Sequence, residues 1–184
     1  VGLDEADVVI CVGYDLVEFG PANWNPRMLK RIIHVDARPA EVDQSYIPEV
    51  EIVAGVRETL RALRAELPAA PQPAYVARLR VAVDTELRAA GERAGVVSPQ
   101  AAIAAIRRAM DPSDILISDV GAHKLWLGRL FPAYEPNTVI VGNGFASMGI
   151  ALPGAIAATL AVPERRVVAV SGDGGFLMNV QEME

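Results

Sequence analysis

Arg165–Glu184 reads RRVVAVSGDGGFLMNVQEME. Within it Val167-Val168-Ala169-Val170 is a short apolar, β-branched run, which predicts a strand buried on both faces. Ser171-Gly172-Asp173-Gly174-Gly175 breaks that run, and a helical pattern starts over 176–183. A strand, a glycine turn and a helix N-terminus together can cradle a phosphate. Glycine lets an anion approach the backbone, and the first helical N–H groups point at it. A carboxylate in the turn would repel phosphate, so Asp173 calls for a hard, oxygen-liganded cation such as Mg²⁺ between the two. The same residues also read as an ordinary turn in which Asp173 caps the helix. Both readings stand at this point.

Upstream, the pattern repeats. Ser98-Pro99-Gln100 opens a helix with Ser98 as cap and Pro99 in its first turn, and Asp111-Pro112 stops it after Met110. Ile115-Leu116-Ile117-Ser118-Asp119 is a strand leading into Val120-Gly121-Ala122-His123. Val139-Ile140-Val141 is a second strand, opening into Gly142-Asn143-Gly144-Phe145-Ala146-Ser147-Met148-Gly149, and an alanine-rich helix follows from about Ile150 to Ala161. Each of three strands thus ends in a loop of unusual chemistry. In a parallel sheet the carboxyl ends share one edge, where ligands bind. Singly, His123 also reads as a capping or solvent residue and Met148 as core filler.

The N-terminal half alternates in the same way. Asp7–Gly13 predicts a buried strand ending on glycine, and further strands are expected at Arg31–Asp36 and Val50–Val53. A helix over 56–67 places Val56, Leu60, Leu63 and Leu67 on one face. Asp36 stands where a dinucleotide fold would bind a ribose, but Gly13-Tyr14-Asp15-Leu16 lacks the further glycines that a pyrophosphate needs. His34, in mid-strand, reads as a satisfied structural histidine. Pro68-Ala69-Ala70-Pro71-Gln72-Pro73 is a connector, followed by a surface helix over Ala74–Arg93. The expected architecture is α/β: two Rossmann-like units with mainly parallel sheets, both incomplete, over 1–67 and 74–184 with a linker at 68–73.

The 184 residues are 52% hydrophobic and carry a net charge of −6, enough apolar content for one or two soluble domains. An acidic chain without a basic cluster argues against nucleic acid and against an anionic membrane surface. The uncharged run from Thr138 to Pro163 is interrupted by glycines and prolines, so a strand, a loop and a buried helix account for it better than a membrane span. The single cysteine, Cys11, cannot form an internal disulfide and fits a reducing cytoplasm. Val1-Gly2 runs straight towards a strand and Glu184 stops about two turns into a helix, so the chain is expected to be a piece of a longer polypeptide.

Taken together, SGDGGFLMNVQEME, GNGFASMGIALPGAIAA and SDVGAHKLW resemble segments of the thiamine-diphosphate enzymes of the acetohydroxyacid synthase and pyruvate oxidase group. The resemblance extends over nearly the whole chain. VGYDLVEFGPANWNP and RLFPAYEP are most similar to the catabolic, FAD-independent acetolactate synthases, so FAD is not expected. The resemblance implies that Asp173 ligates Mg²⁺, that Gly172 belongs to the cofactor site, that the backbone N–H groups of Gly174 and Gly175 contact the cofactor diphosphate, and that Val120, Gly121 and His123 line its other side. It implies that Met148 lies beneath the cofactor, bending it so that its aminopyrimidine nitrogen nears the thiazolium C2–H. The backbone of Ala146 and Met148 would hold the aminopyrimidine.

The implied reaction decarboxylates pyruvate and joins the two-carbon unit to a second pyruvate, giving 2-acetolactate, in a branched-chain amino acid or acetoin pathway. The implied protein is a cytoplasmic homo-oligomer, dimer or tetramer. The glutamate that activates the pyrimidine is expected in the amino-terminal domain of a partner subunit, and a second magnesium-binding side chain beyond Glu184. No catalytic residue is therefore expected in this stretch, and the chain alone is expected to be inactive. Rival readings keep the cofactor and change the reaction (pyruvate oxidase, glyoxylate carboligase or 2-oxo acid decarboxylase), or make the chain a non-catalytic nucleotide-binding or assembly module.

Overall fold

A computed structural model describes residues 2–17, 19–69, 74–89 and 97–184. The chain divides into two compact units, Val1–Arg80 and Val81–Glu184. Residues 70–73 of the expected connector, residues 90–93 of the expected helix and Glu18 lie outside the described residues.

The first unit runs α1 (Gly2–Glu5), β1 (Val8–Val12), a 3-10 turn at Pro21–Asn23, β2 (Arg31–Asp36), β3 (Val50–Val53) and α2 (Val56–Glu66). Its three strands form a parallel sheet in the order β1-β2-β3. Cys11 and Ile32 point to one face, where Trp24 and Tyr46 close a core. The Tyr14, Trp24 and Tyr46 rings meet there with centroids 5.2 to 6.2 Å apart, in the tilted and edge-on arrangements that aromatic quadrupoles favour. His34 is buried on the same face, with Nδ1 2.8 Å from the Tyr46 hydroxyl and Nε2 without a partner. It is structural, as expected, but only half satisfied.

The opposite face of β1 corrects the expectation of a buried strand. Val8, Ile10 and Val12 alternate onto it and are exposed, because the side chains that close over β1, Trp24, Tyr46 and Leu3, pack on the Cys11 face. The apolar face expected on α2 is half covered, with Val56 and Leu63 partly buried and Leu60 and Leu67 exposed. The short helix α1 was not legible either; Leu3 from it packs against the Cys11–Trp24 core.

Helix α3 (Ala74–Ala89) spans the point of division. The second unit continues with α4 (Pro99–Ala109), β4 (Ile115–Ser118), α5 (Ala122–Leu130), β5 (Val139–Val141), α6 (Ala151–Ala161), β6 (Val167–Val170) and α7 (Asp173–Met178). Ser98 caps α4 as its sequence predicts, Oγ accepting from Ala101 N at 3.2 Å. The sheet is parallel in the order β5-β4-β6. Central β4 is buried throughout. Leu116 faces Ile103, Met110, Leu127, Leu130 and Phe131 from α4, α5 and their ends, while Ile115 and Ile117 face Ala151 and α6.

β6 differs from the expectation: it is only partly buried, since it is the outer strand of this sheet. The helix expected over 176–183 instead starts at Asp173, with Gly172 as N-cap, and gives way to a 3-10 turn over Val180–Met183. Two glycines are accommodated in the first helical turn, and Asn179, with φ −132° and ψ 25°, ends it. The uncharged run over 138–163 resolves into β5, a loop and α6, and among the described residues no helix is long and apolar enough to cross a membrane.

Candidate functional site

Because β4, β5 and β6 are parallel, the loops at their carboxyl ends open on one edge. After β4 come Asp119, Val120 and Gly121, then His123 in the first turn of α5. The imidazole of His123 fills the space beside two glycines. A Cβ on Gly121 would lie 2.9 Å from its Cε1 and 3.0 Å from its Nδ1, and one on Gly172 would lie 3.7 Å from both. The ring therefore joins the β4–α5 loop to the β6–α7 turn. Its Nε2 is buried without a hydrogen-bond partner, as is that of the structural His34, and such a group calls for a polar partner.

The loop after β5 carries three left-handed residues, Gly144 (φ 72°), Ala146 (φ 44°) and Gly149 (φ 84°). For alanine that conformation is strained and has to be held by its surroundings. Lys124 Nζ donates to Gly142 O at 2.9 Å at the start of the loop. At its end, Asn179 Nδ2 donates to Gly149 O at 2.8 Å. Met148 is half-exposed, its terminal methyl 4.0 Å from where a Cβ on Gly174 would stand.

Asp173, first residue of α7, is exposed, and its Oδ1 accepts from Gly174 N at 2.9 Å. The capping role open to it from the sequence falls to Gly172 instead. Among the described residues no group of three or more His, Cys, Asp or Glu side chains could hold a metal. Thus the residues after the three strands, Val120, Gly121 and His123, Ala146 and Met148, and Gly172 to Gly175, lie at one sheet edge, with His123 against Gly172 and Met148 against Gly174. Asp36 lies in the other unit, where its Oδ1 accepts from Arg38 N at 3.0 Å. It lines a cavity of about 320 Å³ with Gly13, Tyr14, His34 and Arg38.

Asp119 is the residue that sequence reasoning missed. It is fully buried. Its Oδ1 accepts from Val120 N at 2.7 Å and Gly149 N at 2.8 Å, and its Oδ2 from Ser171 Oγ at 3.0 Å and Ala151 N at 3.3 Å. Burial pushes its carboxyl up. The backbone donors of Val120 and Gly149, with Ser171 and Ala151, outweigh that and hold it below its ordinary value. The available signal was an acid just after the apolar run Ile115-Leu116-Ile117 of a strand, which must find donors from other segments.

Residues 119–184 match the family model "Thiamine pyrophosphate enzyme, C-terminal TPP binding domain", and residues 2–63 match "Thiamine pyrophosphate enzyme, central domain". The chain belongs to the thiamine pyrophosphate enzymes. Within that family it is 37% identical over 192 residues to the catabolic acetolactate synthase of Raoultella terrigena, covering 99% of this chain and 34% of the relative. It is 34% identical over 187 residues to the acetolactate synthase of Bacillus subtilis, covering 99% of this chain and 33% of that one. Pyruvate oxidase of Lactiplantibacillus plantarum is 30% identical over 187 residues, 98% of this chain and 30% of the relative. The chain spans about a third of the length of these curated relatives. All three strand-end loops of this thiamine pyrophosphate enzyme chain fall inside the segment that matches the binding domain, which begins at Asp119.

Proposed function

We propose that this chain supplies one wall of the cofactor site in an acetolactate synthase, which converts two pyruvates into 2-acetolactate and carbon dioxide. The observation that carries the reading is the edge at which His123, with an unmatched buried Nε2, stands against Gly121 and Gly172 at the start of α7. Such an edge fits an anionic group: the unpaired ring nitrogen can hydrogen-bond it, and the glycines leave room for its oxygens to reach backbone N–H groups. Thiamine diphosphate, when bound, supplies a carbon nucleophile and an electron sink for decarboxylation.

In this reading Val120, Gly121 and His123 flank the diphosphate on one side and Gly172, Gly174 and Gly175 on the other. Asp173 gives one ligand to Mg²⁺, which prefers six oxygens and would take the rest from diphosphate, water and side chains outside the described residues. The Ala146–Met148 backbone and the Met148 side chain orient the cofactor rings. FAD has no role, and the protein works in the cytoplasm as a homo-oligomer.

The reading is tested in the full-length protein by measuring acetolactate formed from pyruvate, and thiamine diphosphate affinity by calorimetry with and without Mg²⁺. Asp173→Ala is expected to abolish Mg²⁺-dependent binding, and Asp36→Ala to leave it nearly unchanged. A variant lacking Asp173 that binds normally would refute the site. The relationship to pyruvate oxidase supports a second reading, and pyruvate-dependent oxygen consumption without acetolactate would favour it.

A further inference from the structure

Helix α6 begins without a cap of its own. Its N-cap residue is Ile150, which has no side-chain acceptor to offer, although the first N–H groups of any helix need one. The acceptor comes from a different element. Asp119, at the end of β4, takes the N–H groups of Gly149 and Ala151, and a carboxylate there is also favoured by the helix dipole. The same carboxylate accepts from Ser171 at the end of β6. It also sets the approach of α7: a Cβ on Gly175 would lie 3.0 Å from Asp119 Cγ and Oδ2 and from Ser171 Oγ. Gly149 is held through both of its backbone polar groups, its N–H by Asp119 and its C=O by Asn179. Just before it stand Met148 and Ala146, the latter in a strained left-handed conformation that a loose loop would not keep.

We propose that Asp119 is the positioning residue of the site: its buried carboxylate ties the β5–α6 loop to the β6–α7 turn and so fixes where Ala146 and Met148 stand relative to Gly174. The inference rests on the cofactor reading only for what the positioned loop holds; the clamp itself is a property of the chain without ligand. Asp119 touches no reacting group. It acts through Gly149, Ala151 and Ser171. Replacing it with asparagine keeps the shape but turns one acceptor into a donor, which then faces the donating Ala151 N–H, while the Ser171 hydroxyl has to turn its proton to Gly172 O, 3.1 Å away, to accept it.

The test uses the full-length enzyme and the variants Asp119→Asn and Ser171→Ala. In cofactor-free protein, amide hydrogen exchange is read over 142–152 and 171–179 against β4 and α4. Asp119→Asn is expected to speed exchange in those two segments and leave β4 and α4 protected. At saturating thiamine diphosphate its kcat should fall about 10²-fold with KM for pyruvate held within a factor of two or so, as for a misplacement of about 1 Å. Ser171→Ala removes one of the four donors and should give the same pattern, weaker, with a several-fold loss. Exchange accelerated throughout the unit would make Asp119 merely structural and overturn the proposal, as would unchanged loop exchange with wild-type kcat. If Asp119→Asn does not fold, Ser171→Ala alone decides by the same two readouts. A wild-type enzyme that neither binds thiamine diphosphate nor makes acetolactate would defeat the cofactor reading, while the exchange result would still decide the clamp.

Discussion

Among the described residues the donors to Asp119 are three backbone N–H groups and one hydroxyl, with no Lys or Arg side chain, and its acid behaviour follows from that. Burial raises its pKa, and the four donors lower it by more, leaving the native value below the ordinary 3.8. A group depressed in the folded state stabilises it fully above the unfolded pKa, and that contribution is lost as pH falls through the native value. The gap in denaturant midpoint between wild type and Asp119→Asn is therefore expected to be widest near neutral pH and to shrink below about pH 4; a gap that grew in acid would reverse the assignment. Two glycines make a matched pair of tests. Gly149 has φ 84°, and a Cβ there would lie 2.5 Å from Asn179 Nδ2, so Gly149→Ala should cost on the order of 1–3 kcal/mol. Gly128 lies within α5 with nothing inside 4 Å of its would-be Cβ, so Gly128→Ala should stabilise by about 0.5–1 kcal/mol. Thermal unfolding of the two variants should move in opposite directions.

At the level of elements, the second unit is built around β4, which has neighbours on both edges and helices over both faces. β5 and β6 each pair with β4 alone among the described strands. Amide exchange should accordingly be slowest in β4, faster in β5 and β6, and fastest in the α7 to 3-10 segment, whose hydrogen bonds are short-range and largely exposed; protection of Val180–Met183 equal to that of Ile115–Ser118 would contradict this. Helix α4 depends on its cap. Ser98→Ala removes the bond to Ala101 N and is expected to cost about 1 kcal/mol, read as a lowered denaturant midpoint without a change in slope. The contrast with α6 is instructive: Ser98 announces itself in the sequence beside Pro99, whereas α6 borrows its cap from 32 residues upstream through the Asp119 to Ala151 contact.

For the whole molecule, the 184-residue chain spans about a third of its acetolactate synthase relatives, and among its described residues no group of three or more His, Cys, Asp or Glu side chains could hold a metal, whereas a magnesium ion wants six oxygens. Alone, it is expected to make no acetolactate from pyruvate and to bind thiamine diphosphate weakly; turnover by the purified chain would overturn that. What the amino-acid sequence determined by itself was the alternation of strands and helices, the parallel sheets, the capped α4 and the three strand-end loops, because each is written in neighbouring residues: apolar runs of strand length, glycines at the breaks, serine before proline at a helix start. It was misleading about burial. Val8, Ile10, Val12 and Val167 to Val170 read as enclosed strands, yet burial depends on which strand takes the centre of the sheet and on which face other elements cover, and neither is a local property. Only the tertiary structure decided that His123 stands against Gly172, that α7 starts at Asp173, and that Asp119 holds the loops together. Those contacts join residues some 30 to 50 positions apart in sequence, and a buried carboxylate chooses its partners from whatever donors the completed fold brings within about 3 Å.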